Sequence, residues 1–548
     1  AQHGTHCIDK VAQLGMFLPH TDAIKGEVLP GVNWKQVTCA ARLAVTHVNA
    51  RFAGIVPELP GLVSNLTLLS DAMYDTGYSA DTAILGYRRM RADGGQAIVG
   101  PARSAVAAPL ATLSKVDQIP MCSYWATSPT LSDVLQYPYF GRTILTDKWS
   151  TRALARLIPS FGWVNIAIVH ANEAFATSYA EGVRDAAREE GVNVVTMAGY
   201  NMNDPSTYEA ACAQMKATGA NVIVAAVWDQ DMPEIAKICK AHGVWGRGYV
   251  WIATETAAAD TTMMAGVSFG QTADETASLL SGMLNFLNSP IGTAGYTRYL
   301  DHWKLFSSTD CPNPFFNSSD HPQIFTTEPW TVSAFAYDCV VAFAIAMSQV
   351  ADPADGAEVA ARFREVTFDG ASGPMSFNSA ADRDDGNFAL LNWVANGSAL
   401  VAGQVGSISL RGPFVPVAGS NITWHESSTQ PVDVLTLGTC PAGHVREMST
   451  GVPQCVPLPV TIVRLGVLLP MFGTQVAHHS PISWSPRTGV YQALQELNNK
   501  TDGVADHLLP TTQLQFAFKD SKCDSTFALQ AALHLTHDAF NGEGVSAI

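Results

Sequence analysis

Short apolar runs that read as strands alternate with segments whose apolar residues recur every three to four positions, and this happens in two successive series. The first runs through "LTLLSDAM", "DTAILGYRRMRADG", "AIVGP", "SAVAAPLATLSK" and "IPMCSYW". The second runs through "VNIAIVHA", "SYAEGVRDAAREEG", "VNVVTMAGY", "YEAACAQMKATG", "NVIVAAVW", "MPEIAKICKAHG" and "YVWIATE". A strand followed by a helix and then another strand is the sequence form of a parallel sheet covered by helices on both faces. Two series predict two such lobes, an α/β fold.

The chain has 548 residues, too many for a single core. Apolar residues make up 47%, ample for packed interiors, and charged residues only 15%, below the usual ~25%. The formal net charge of -16 argues against nucleic acid or an anionic membrane surface as partner. No run of 18 apolar residues occurs; the longest candidate, "VVAFAIAMSQVA" from Val340, follows Asp338 and reads as a buried helix. The sequence opens on Ala1 with no apolar leader, as expected of a mature secreted protein or an excised piece of one. None of the ten cysteines forms a Cys-x-x-Cys pair, and Asn-x-Ser/Thr sequons occur at Asn65, Asn317, Asn396, Asn421 and Asn499. Dispersed cysteines with five sequons favour an oxidising, glycosylating compartment, extracellular or at the cell surface.

The periodicity fades between residues 426 and 460, where "CPAGHVREMSTGVPQCVPLP" reads as a linker stapled by Cys440–Cys455. Beyond it the chain repeats itself. Leu14, Gly15, Leu18 and Pro19 match Leu465, Gly466, Leu469 and Pro470; Trp34 matches Trp484, Asn49 matches Asn498, Asp71 matches Asp520, and Ala97-Ile98 match Ala547-Ile548, at offsets between 449 and 451. An ordered series of this kind predicts one whole unit and, over 461–548, the beginning of a second, with the natural protein continuing past Ile548.

The motifs "AIVGPARSAVAAPLA", "IPMCSYWATSPTLSD", "YPYFGRTILTD", "FGWVNIAIVHA" and "SAFAYDCVVAFAIAM", in that order, resemble the type I periplasmic-binding-protein-like domain of animal receptors, the ANF-receptor ligand-binding region, with GABA-B and metabotropic glutamate receptor ectodomains as the nearest branch. The tail segment "KDSKCDSTFALQAALHL" resembles the same family. The resemblance implies a two-lobed clamshell of doubly wound parallel sheets over residues 1–425, with the chain crossing between lobes near Thr146, Thr256 and Phe368. Lobe one would then comprise about 8–145 and 257–367, and lobe two about 146–256 and 368–425. It also implies a homo- or hetero-oligomer formed through lobe one, or a larger assembly. A cysteine at the place of Cys523 would bond, in the family pattern, to one just after the next strand, so Cys523 is expected to have no partner within this sequence.

The cleft chemistry is partly readable without the family. Ser104 stands at the head of a helix after "AIVGPAR", and Thr127 and Ser128 precede Pro129, a favourable first helical residue. Ligands of open α/β sheets sit beyond the carboxyl ends of the strands, where free N–H groups and hydroxyls attract a carboxylate. Ser104 and Thr127 are thus either caps, ligand contacts, or both, and the resemblance maps them to the carboxylate-holding loops. It also places Phe175, Trp228 and Asp229 on the opposing lobe, Glu255 at a crossing, and Trp34 where GABA-B-like sequences have a cleft tryptophan. Phe175 and Trp228 read equally as lobe core, and Asp229 and Glu255 equally as solvated caps. The acid that anchors an ammonium in GABA-B-type sites is replaced here by about Val332, so GABA itself is not expected as the ligand unless Asp229 or Glu255 substitutes.

No Gly-x-Ser-x-Gly elbow, P-loop or His-Glu-x-x-His occurs, and the "AHHS" at His478-His479 could bind a metal but reads better as a polar loop, so neither catalysis, a metal nor a cofactor is expected. Two readings remain: a receptor-like clamshell sensing a small amino-acid-like carboxylate, or a structural or adhesive protein of tandem clamshells with no working site. Cys212 and Cys239 lie on helices separated by one strand, which two right-handed crossovers place side by side, predicting a disulfide. Cys7–Cys39 and Cys311–Cys339 complete the expected set, with Cys122 left buried and free.

Overall fold

The structure, a computed structural model, describes residues 10–22, 27–28, 32–62, 66–69, 73–202, 204–255, 272–312, 315–435, 444–447, 454–457, 461–469 and 512–520. Residues 1–437 form one compact unit and 438–548 another.

Within the first unit the alternation becomes two sheets. Lobe one is built on Lys10–Leu18, which pairs in parallel with Leu66–Leu69 along its first half, with Met73–Asp75 along its second, and with Ala97–Val99 on its other side; Met121–Ser123 and Phe140–Arg142 extend the sheet. Lobe two has eight strands in the order Asn193–Tyr200, Asn165–Ala171, Val222–Ala226, Val250–Ala253, Leu284–Asn288, Asn387–Asn396, Ala399–Ser409 and Phe414–Pro416; the first five are parallel and the last three antiparallel. The inner parallel strands Asn165–Ala171, Val222–Ala226 and Val250–Ala253 are buried along their whole length, as a sheet covered on both faces requires, whereas the edge strand Asn193–Tyr200 is only partly covered.

The helix Val332–Gln349 contains all but the last two residues of the run that the sequence marked as apolar, and it lies in the core of lobe one with 94% of its length buried. Its one charged residue is the fully buried Asp338, whose carboxylate accepts from the N–H of Ala371 (2.7 Å) and of Ser372 (2.8 Å) and from the Ser372 hydroxyl (2.5 Å). Those bonds answer the need of a buried charge for partners. Burial nevertheless raises the carboxyl to about 6.

The two later crossings differ from the sequence expectation. Residues 272–288 stay in lobe two, because Leu284–Asn288 pairs with Val250–Ala253 and with Asn387–Asn396, so the second crossing follows Asn288 and does not fall near Thr256. Likewise Phe368, Met375, Phe377 and Ala381 pack in the core of lobe one, which moves the third crossing from Phe368 to the segment just before Asn387. The expectation failed because both sheets recruit strands from distant parts of the chain, and a short apolar run carries no mark of which sheet it joins.

Three disulfides join described residues: Cys39–Cys311, Cys122–Cys339 and Cys212–Cys239, with Cα separations of 5.2, 5.7 and 5.1 Å. Cys212 and Cys239 lie on the neighbouring helices Pro205–Thr218 and Met232–Ala241. The pairings Cys7–Cys39 and Cys311–Cys339 and the free Cys122 are corrected. The helices Asn33–Asn49 and Val332–Gln349 pack together, which leaves Cys39 facing Cys311 and turns Cys339 toward Cys122 in the sheet.

Cys7, Cys440, Cys523, Asn65 and Asn499 lie outside the described residues, and with them the Cys440–Cys455 staple. Asn317, Asn396 and Asn421 are exposed. In the second unit Thr461–Leu469 and Thr512–Asp520 form a parallel ladder, Thr461 facing Thr512.

Candidate functional site

The carboxyl ends of the strands of both lobes meet around a cavity of about 400 Å³. Lobe one supplies Tyr78, Arg103, Ser104, Trp125, Thr127 and Ser128; lobe two supplies Glu173, Phe175, Ser178, Met202, Trp228 and Glu255.

The loop from Gly100 to Ser104 places the lobe-one wall. Gly100 has φ +104°, and a Cβ there would overlap the Phe17 carbonyl oxygen, so only glycine lets strand Ala97–Val99 turn here. The helix that follows runs Ser104–Asp117 with Arg103, not Ser104, at its N-cap and no side-chain cap bond. The Ser104 hydroxyl instead accepts the Ser128 N–H at 3.1 Å, tying the two cleft loops together and leaving its own O–H free to donate. Pro129–Ser132 is a single 3-10 turn with Ser128 at its N-cap. The loop before it is held by the fully buried Arg142, which donates to the carbonyls of Ala126 and Ser128 (2.9 Å each), to Ser132 Oγ (2.6 Å) and to Asp382 Oδ1 (2.6 Å).

The floor is acidic. Glu255 follows strand Val250–Ala253 and accepts from Asn288 Nδ2 at 2.9 Å and from the Trp125 side chain across the lobes. Half-buried at the cavity wall, Glu255 is raised to about 8 by desolvation, with the nearby Asp147 charge adding to the shift. Asp147 heads the helix Asp147–Ser160, is buried, and is raised to about 7 by that burial although it accepts from the Thr127 hydroxyl and feels the Arg142 charge. Of the two acids Glu255 lines the cavity, while Asp147 lies behind it and acts on it through its charge.

The structure thus brings Ser104, Thr127, Phe175, Trp228 and Glu255 to one cavity, and leaves Trp34 and Asp229 out of it. Trp34 stands behind the wall, edge-on to the wall residues Trp125 (5.3 Å between centroids) and Tyr78 (5.6 Å) and to Trp330 (4.8 Å). Asp229 is buried in the turn after Val222–Ala226, with Oδ1 accepting the Gln230 N–H, while its neighbour Trp228 takes the cleft position against Phe175 at 5.9 Å. Sequence reasoning missed Arg103, Tyr78, Trp125 and Asp147. Only the "GPARS" loop held a signal, a cation at the head of a helix where a short polar residue is the favoured cap.

Comparison with known proteins matches residues 36–396 to the family described as "Receptor family ligand binding region". Among curated proteins, "Metabotropic glutamate receptor-like protein E" of Dictyostelium discoideum is 27% identical over 309 residues, 54% of this chain and 35% of that protein. "Glutamate receptor 3.4" of Arabidopsis thaliana is 25% identical over 40% of this chain and 22% of its own length, and "Glutamate receptor 2.8" of the same plant 22% identical over 63% and 33%. The matches span about a third or less of each relative.

Proposed function

The chain belongs to the receptor family of ligand-binding regions, and from that membership we propose that it is an extracellular receptor-type clamshell that closes on a small amino-acid-like carboxylate. The observation that carries the reading is the opposed chemistry of one cavity: a hydroxyl and helix N-terminus at Ser104 on one side, the half-buried acid Glu255, with Asp147 behind it, on the other. The first-turn N–H groups of Ser104–Asp117 and the free Ser104 O–H suit a carboxylate. Glu255, once ionised, suits an ammonium. Thr127 gives its O–H to Asp147 and so serves by fixing the acid rather than by donating to the ligand.

Three disulfides and three exposed sequons support the secretory setting. The exposed Leu85 and Val116, on neighbouring helices of lobe one, support association through that lobe. The ordered repeat and the parallel ladder of 461–469 with 512–520 support a second copy downstream.

The test is thermal unfolding with a panel of amino acids at millimolar concentration. A ligand that binds the closed form raises the melting temperature by mass action. The variant Ser104→Ala is expected to lose most of the shift, and adding Thr127→Ala to remove the rest while also lowering the unliganded melting point, because it takes away the hydroxyl that bonds the buried Asp147. A flat panel favours the alternative, a tandem clamshell used as a spacer.

A further inference from the structure

Arg103 projects from lobe one into the mouth of the cavity. Its guanidinium lies over the ring of Tyr78, 3.9 Å from the centroid, and over the ring of Trp228 of lobe two, 4.7 Å from the centroid. A planar cation between two aromatic faces is held through those faces, while its N–H donors point outward in the plane and are not consumed by stacking. The Nε of Arg103 is buried with no hydrogen-bond partner among the described residues, and so is the indole Nε1 of Trp228. The acid that shares the wall is already engaged: Glu173 accepts from the N–H of Phe175 (2.9 Å) and of Ala176 (2.6 Å). Buried donors left unpaired cost free energy, and two of them, one from each lobe, meet at one mouth.

We propose that Arg103 and Trp228 form an anion clamp split between the lobes, completed by the carboxylate of a ligand seated at the head of helix Ser104–Asp117. This rests on the reading of the cavity as a ligand site and adds what couples occupancy to closure. Ser104 alone holds an anion on one lobe. Arg103 stacked on Trp228 makes the same anion a bridge, because Trp228 reaches it only when the lobes are together. Lysine at 103 would keep the charge but not the flat cation that fits between two rings.

The probe is acetate, the carboxylate alone, titrated into protein labelled with 15N at tryptophan, with chloride at matched ionic strength as the control. The Trp228 indole signal is assigned by its loss in Trp228→Phe. The clamp predicts that acetate moves this signal saturably. Arg103→Leu should weaken the effect on the order of tenfold or more, the usual loss when a charge-assisted hydrogen bond is removed, and Arg103→Lys should restore only part of it. A Trp228 signal that acetate leaves in place, or moves equally in Arg103→Leu, overturns the clamp. The two readings fail separately. Amino acids that stabilise the protein with Trp228 silent remove the clamp alone, whereas acetate acting through Arg103 with no amino acid binding removes the amino-acid ligand alone. Should Trp228→Phe fold poorly, Tyr78→Leu gives the second check, weakening the acetate effect by loosening Arg103.

Discussion

The backbone N–H of Asp147 donates to the carbonyl of Thr127 at 2.9 Å, and the Thr127 hydroxyl returns a bond to the Asp147 carboxylate. The cleft loop of lobe one and the first turn of lobe two are therefore one hydrogen-bonded piece, and the first crossing is a joint of fixed geometry next to the cavity.

Titration of the floor sets a pH dependence. Asp147 and Glu255 are raised from 3.8 and 4.5 to about 7 and about 8, with burial the largest cause. The folded protein thus holds these protons more tightly than the unfolded chain does. Their contribution to stability is fullest below the unfolded values and declines as pH rises through the interval up to about 8. Glu255→Gln is expected to flatten the fall in melting temperature between about pH 5 and pH 8, the window bounded by those values, as followed by calorimetry.

The same acid makes binding of an ammonium-bearing ligand release protons. Affinity is expected to rise with pH through the neutral range, and calorimetric heats should depend on the ionisation enthalpy of the buffer. Both effects are expected to vanish in Glu255→Gln.

Arg142 and Asp382 are a buried pair at 2.6 Å whose cation also holds the loop 126–132. Asp382→Ala leaves the guanidinium buried and unpaired, a loss of about 3–5 kcal/mol by analogy with broken buried ion pairs. Denaturant unfolding reads this directly, and a loss under about 1 kcal/mol would place the pair with surface ion pairs.

The disulfides yield a chemical prediction. Non-reducing peptide mapping should link Cys122 to Cys339, Cys39 to Cys311 and Cys212 to Cys239. Replacing Cys212 and Cys239 together by serine is expected to cost about 2–4 kcal/mol, the usual worth of closing a loop of this length.

Gly100→Ala forces a side chain into a backbone of φ +104° and against the Phe17 carbonyl oxygen. A loss of about 1–3 kcal/mol or more is expected, visible as a lower melting temperature and as weakened binding, since the loop carries Arg103 and Ser104.

What the sequence made legible followed range. The strands and helices were local patterns, and Cys212 and Cys239 could be paired because only one strand separates their helices. Cys122 and Cys339 are 217 residues apart and Cys39 and Cys311 are 272 apart, so their partners depend on how helix Val332–Gln349 lies in the core. The crossing near Thr256 was misplaced because nothing local marks Leu284–Asn288 as a lobe-two strand; only its pairing with Val250–Ala253 and Asn387–Asn396 decides that. Arg103 was not singled out, since a cation at the head of a helix is at most a local mark. Its place between Tyr78 and Trp228 exists only once two lobes face each other.

Cys39–Cys311 and Cys122–Cys339 lie wholly inside lobe one and Cys212–Cys239 wholly inside lobe two, so no disulfide among the described residues spans the cleft. Each half is cross-linked internally, while the described contacts that bridge the halves at the cavity are noncovalent: the Thr127–Asp147 bonds, the Trp125–Glu255 bond and the stack of Arg103 on Trp228. In mechanical terms this is a lever: stiff arms do not absorb a rotation begun at the pivot, so a small change of angle at the cavity arrives as a larger displacement at the far end of each arm.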